Sequence, residues 1–192
     1  MAFKFPDKDP DEKLDYTVDW SRYLERDGLT ISSVLWKIQK SDGSEIQFND
    51  GYTFQNDVLV LTGDVYRTLN GSVSSSNTIT INSGSGTIYV GHRVTNTGSS
   101  SPVFVTAVNG ATLTLSKAVT LADGVSLGFL TDGLRNVVIA GPTSTTTTIV
   151  LDKGFVNTTY TLICQITTTA STKTSDNIVT ERKVKLKVRE RI

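Results

Sequence analysis

The sequence predicts an all-β protein in which one β-sandwich is interrupted by a second, smaller β-sandwich or barrel. Composition points to strands: Ser and Thr together make about a quarter of the 192 residues, and good helix formers are scarce. Period-2 alternation of apolar and polar residues recurs along the chain, separated by Gly-, Asn- and Ser-containing turns. Charge is distributed unevenly. The first thirty residues and the segment Glu181–Arg191 are crowded with it, whereas between Leu69 and Thr131 only Arg93, Lys117 and Asp123 are charged. A shift this abrupt predicts an inserted unit at 46–132 and a discontinuous host domain at 16–45 plus 133–192, preceded by an arm at 1–15.

Along the chain, the arm carries Phe3 and Phe5 among alternating charges and reads as a solvated, partly extended segment able to lie across a neighbouring subunit. Ser21–Glu25 can make one or two helical turns, too short to stand alone. Leu29–Ile38 alternates as strand toward Trp36, and Asp42–Gly43 supplies a turn. In the middle, Val103–Ser116 reads as two strands joined by Asn109–Gly110, a pair that accepts positive φ at both positions and so predicts a type I′ hairpin. Leu113 and Leu115 then face a core, with Thr112 and Thr114 toward water. Thr78–Ile81, Thr87–Thr95 and Val125–Phe129 add three strands.

Beyond the middle, 136–140, 147–151 and 159–167 read as strands, and the Thr-rich runs 143–148 and 167–175 as strand ends and a polar hairpin loop. The last strand places Val184, Leu186 and Val188 on one face and Lys183, Lys185, Lys187 and Arg189 on the other, a Lys-guarded edge. An early buried Trp36 and a late Tyr160, which could anchor a corner by hydrogen bonding, suggest an immunoglobulin-like sandwich for the host domain. Tyr160 stands four residues before Cys164 rather than two, so the antibody-type signature is absent.

Little in the chain points to chemistry. Lys plus Arg equals Asp plus Glu at 19 each, so no global field draws it toward nucleic acid or an anionic membrane. No secretory signal is read at Met1–Asp7, and one cysteine implies folding in a reducing cytoplasm. The single histidine, His92, lacks a nucleophile motif and is expected as a strand residue with its ring on the polar face; Cys164 is expected as a small buried hydrophobe. One His and one Cys cannot build a zinc cluster. Asp7, Asp9 and Asp11 begin like a calcium loop, which fails at Glu12 and Val18. No metal or cofactor is expected.

Three segments carry a resemblance: Asp7-Lys-Asp-Pro10; Leu14 to Leu24 with its Asp19-Trp-Ser; and Asp27-Gly-Leu-Thr-Ile-Ser-Ser-Val-Leu-Trp36. With the ending Thr146 to Thr168 and the basic final strand, this order is similar to small virion structural proteins of tailed phages, over roughly 5–40 and 133–190. The middle resembles small β modules spliced into phage tail and baseplate proteins. The resemblance implies an immunoglobulin-like host fold, virion assembly without catalysis, and capsid decoration or a neck or tail position. The chain's expected partners are other virion proteins (capsid, neck or tail subunits), in multiple copies or as a homo-oligomer; the even charge balance leaves no nucleic-acid or membrane partner expected. The candidate interface residues are Phe3, Phe5, Trp20, Arg22 and Tyr23, although Trp20 and Tyr23 could equally plug the host core. A module for host-surface glycans is the alternative, for which Tyr89, Phe104 and Phe129 are the insert's candidate aromatics.

Overall fold

The computed structural model describes residues 3–169 and 177–190. In chain order its strands are β1 Phe3–Lys4, β2 Leu14–Asp19, β3 Ile31–Gln39, β4 Glu45–Gln47, β5 Tyr52–Gln55, β6 Val58–Leu61, β7 Val65–Thr68 and β8 Val73–Thr80. They continue as β9 Arg93–Val94, β10 Val103–Asn109, β11 Thr112–Leu121, β12 Ser126–Leu130, β13 Leu134–Ala140, β14 Thr146–Lys153, β15 Thr159–Thr168 and β16 Val179–Lys187. One helical turn, α1 Ser21–Leu24, runs into a 3-10 turn at Glu25–Asp27. The protein is all-β, as its composition requires. The chain divides into two compact units, one drawn from 1–52 and 134–192, the other Thr53–Gly133.

In the first unit a five-stranded sheet runs in the order β1-β16-β15-β3-β4. The pairing sets Cys164 opposite both Trp36 and Arg182. A second layer has β14 between β2 and β13. Alternation decides what goes inside: Trp36 and Ile38, Leu162 and Ile166, Val184, Leu186 and Val188, and from the other layer Tyr16, Val18, Ile149 and Leu151 are all buried. At about 25 cal/mol per Å2, burying a Trp ring of roughly 200 Å2 stabilises by on the order of 5 kcal/mol, so Trp36 is a principal anchor of this core. Tyr160 is buried, and its hydroxyl oxygen accepts a hydrogen bond from the Phe155 N–H at 3.1 Å across the β14–β15 corner.

The N-terminal segment lies on its own unit. β1 pairs parallel with β16, the Phe5 N–H donates to the Lys185 carbonyl, and the Lys8 N–H donates to that of Lys187. The Phe5 ring reaches Tyr16 at 4.7 Å and Trp36 at 6.5 Å. Lys8 is buried with its Nζ donating to the Asp9 carbonyl, and Asp7 pairs with Lys4 and Arg189. The solvated arm expected here is therefore, from Phe3 to Asp9, a packed segment. It also means that β16 is flanked on both sides where β1 reaches it, rather than standing as a bare edge.

In the second unit six strands run in the order β7-β12-β9-β10-β11-β8. A Leu69–Ile81 bridge joins the two ends, supported by the Asn70 N–H to the Thr80 carbonyl and the Asn82 N–H to that of Thr68. The sheet thereby closes into a small barrel, which removes its free edges. Its interior holds Leu69, Ile79, Val105, Leu113, Leu115, Leu127 and Phe129.

Two local expectations are corrected. The β10–β11 loop is Gly110–Ala111, since Asn109 pairs with Thr112, and only Gly110 has positive φ, which is the pattern of a type II′ turn. A bulge between Val105 and Ala107 shifts the register that simple alternation assumes. The hairpin with two positive-φ residues is instead β5–β6, turning at Asn56 (φ 49°) and Asp57 (φ 60°). Of the expected strand Thr87–Thr95 only Arg93–Val94 is extended in a sheet. The expected polar loop at 167–175 lies largely outside the described residues.

Candidate docking surface

The site is built where β2 ends. The Trp20 N–H donates to the Thr145 carbonyl, and Asp19 Oδ1 accepts from the Ser21 N–H at 2.8 Å, which starts the turn. Tyr23 and Leu24 N–H groups both donate to the Trp20 carbonyl, and Leu24 is fully buried as the plug. Gly28 ends the turn at φ +63°, a left-handed position that suits glycine.

Trp20 faces inward at 1% exposure. The Arg182 guanidinium of β16 lies over its ring at 4.2 Å, a cation–π contact, and also donates to the Asp19 carbonyl. Tyr23 meets the Trp20 ring edge-on at 6.3 Å. Arg22 is exposed. Asp19, Ser21, Arg22, Tyr23 and Arg182 line one depression of about 370 Å3. The Ser21 backbone N–H and then its hydroxyl, together with Arg182, hold the Asp19 carboxyl below the ordinary carboxylate value, so it is already an engaged anion. The depression therefore presents two guanidinium groups and a phenol beside one carboxylate that is internally satisfied. Such a surface suits protein recognition, in which Arg and Tyr are enriched.

Of the five interface candidates, the structure brings Trp20, Arg22 and Tyr23 together: Arg22 and Tyr23 line the depression and Trp20 is buried beneath Arg182. Phe5 is in the core, and only the backbone of Phe3 is described. Arg182 was missed, although a signal exists. It shares the parity of Val184, Leu186 and Val188, so it is a cation on the inward-facing side of its strand.

The cysteine and the histidine are both enclosed. Cys164 is fully buried beside Thr147 Oγ1 at 3.1 Å, and burial pushes its thiol up to about 11. His92 is not on a polar strand face: it is fully buried in a turn of the barrel unit. Its Nδ1 accepts from the Tyr89 N–H at 3.3 Å, and its Nε2 is buried without a hydrogen-bond partner among the described residues. Burial holds this imidazole below its ordinary value, and the Asp64 charge pulls the other way. Among the candidate glycan aromatics, Phe129 is buried in the barrel, Phe104 is half-buried and Tyr89 is 39% exposed. Tyr66 is more exposed than any of them.

A search of curated proteins finds no match. A family model does match, over residues 8–129: Gp77, the podophage GP4 fiber-tail adaptor protein gp77. The matched span takes in α1, its flanking strands and nearly all of the barrel unit. With more than half of the chain matched, it belongs to the podophage fiber-tail adaptor family Gp77 and is a structural protein of a tailed-phage virion.

Proposed function

We propose that this chain works at the junction of tail and fibre, holding other virion proteins together through protein–protein contacts and without catalysis. The observation that carries this reading is the fiber-tail adaptor match across residues 8–129. The fold is consistent with it. We read the first unit as an immunoglobulin-like sandwich, supported by its two layers, the buried Trp36 and the Tyr160 corner. The second unit, Thr53–Gly133, is then a barrel inserted into it. Both are stiff β scaffolds of the kind that present a fixed surface.

Docking on the virion would use the face around Arg22 and Tyr23, with Trp20 as its support. Each contact must bury on the order of 1,000 Å2 or more to be specific, and repetition over many copies turns modest single affinities into firm attachment.

The test is deletion of the coding sequence followed by electron cryo-microscopy of the particles. Particles lacking the chain are expected to keep a tail and lose their fibres, and wild-type particles to show the chain between the two. Fully fibred particles from the deletion would overturn the reading.

A further inference from the structure

We infer that the depression around α1 receives a carboxylate-bearing segment of another virion protein, clamped between the Arg22 and Arg182 guanidinium groups. The inference rests on the adaptor reading and names the chemistry of its partner.

Charge and geometry argue for it together. Arg182 is fixed before any partner arrives, by stacking on Trp20 at 4.2 Å and by its bond to the Asp19 carbonyl. A guanidinium held this way loses little side-chain freedom on binding, and its planar fork matches a carboxylate. Arg22 projects from α1 into the same depression, and Tyr23 adds a phenol at its wall. Two guanidinium groups line the depression against one carboxylate, that of Asp19, which Ser21 already holds. The space, about 370 Å3, holds an Asp or Glu side chain with its flanking backbone.

The partner is a different protein rather than a second copy: Asp7, Asp9, Glu12 and Glu45, in the charged regions of this chain, already hold contacts inside their own unit. Asp7 binds Lys4 and Arg189, Asp9 Oδ1 accepts from the Asp11 N–H, and Glu12 accepts from the Asp9 N–H. Glu45 binds Lys37 and Lys183. Drawing any of these into the depression of another copy would break a contact inside its own unit.

The experiment puts Arg22→Glu into the phage and measures the chain in purified particles by quantitative mass spectrometry. Arg22 is exposed, so the purified variant should keep the wild-type unfolding temperature. Incorporation is expected to fall at least tenfold, Arg22→Lys to fall less, and suppressors of Arg22→Glu to replace an Asp or Glu by Lys or Arg in another virion protein. Wild-type incorporation of Arg22→Glu would overturn this inference while leaving the adaptor reading intact. Suppressors mapping to carboxylates of this same chain would overturn it in favour of self-association. If the wild-type chain were itself missing from purified particles, the adaptor reading would fall and this inference with it.

Discussion

Tyr66 on β7 and Gly128 on β12 are direct cross-strand partners, and the tyrosine ring lies over the glycine. A β-carbon added at Gly128 would stand 2.6 Å from Thr95 Oγ1 and 3.1 Å from the Tyr66 ring. The 63% exposure of Tyr66 thus has a structural cause: the ring covers a backbone stretch that has no side chain of its own.

Two substitutions follow from that pair. Tyr66→Ala should destabilise the protein by roughly 0.2–1 kcal/mol, the range for cross-strand pairs. Gly128→Ala should cost about 1–3 kcal/mol, since the new methyl must displace Thr95 or the ring. Urea unfolding of both variants measures this, and a Gly128→Ala protein as stable as wild type would contradict the close approach.

The Tyr160 hydroxyl gives a second test. Tyr160→Phe keeps the buried ring and removes the acceptor that holds the Phe155 N–H. The expected loss is about 1 kcal/mol by urea unfolding, with the unfolding slope unchanged because the exposed area hardly differs.

Much of the fold can be read from alternation. The inward Val184, Leu186 and Val188, the buried Trp36 and the core-facing Leu113 and Leu115 each follow from period 2. Thr112 and Thr114 come out only half-buried. Turns were less legible, because their place depends on cross-strand register: the bulge after Val105 moved the β10–β11 loop onto Gly110–Ala111, and Asn56–Asp57 took the conformation expected at Asn109–Gly110. The docking depression was half legible. Asp19 to Tyr23 are contiguous, but Arg182 joins them from 163 residues after Asp19, and no local pattern encodes that meeting. His92 stands just before the short β9, in a stretch that alternation reads as extended, so its burial was not legible from period 2.

That burial makes the barrel sensitive to mild acid. The folded state keeps His92 below its ordinary value of 6.5, mainly through desolvation. Its contribution to stability is therefore fully present above pH 6.5 and is lost as pH falls from there toward the folded value. Asp7, lowered mainly by its hydrogen bond from Lys4, and Asp19 lose theirs only as pH falls below about their ordinary 3.8, so the two windows separate. Thermal unfolding should show a drop between pH 7 and 5 that His92→Asn, which retains an acceptor for the Tyr89 N–H, flattens. An equal drop in that variant would assign the effect to other groups.

Cys164 supplies the last prediction. Its side chain is fully buried, sits between Trp36 and Arg182 in register, and touches the Thr147 hydroxyl. Raising the thiol from 9.0 to about 11 cuts the thiolate fraction at pH 8 by about a hundredfold, and only the thiolate reacts with iodoacetamide. Enclosure removes the remaining access. Labelling of the native protein should therefore proceed only through opening of the first unit, at a rate that rises with urea and becomes complete once the protein unfolds. Cys164→Ala should leave a small cavity and cost about 1 kcal/mol. Rapid labelling at pH 8 without denaturant, with unfolding temperature unchanged, would mean that the thiol reaches solvent in the folded sandwich.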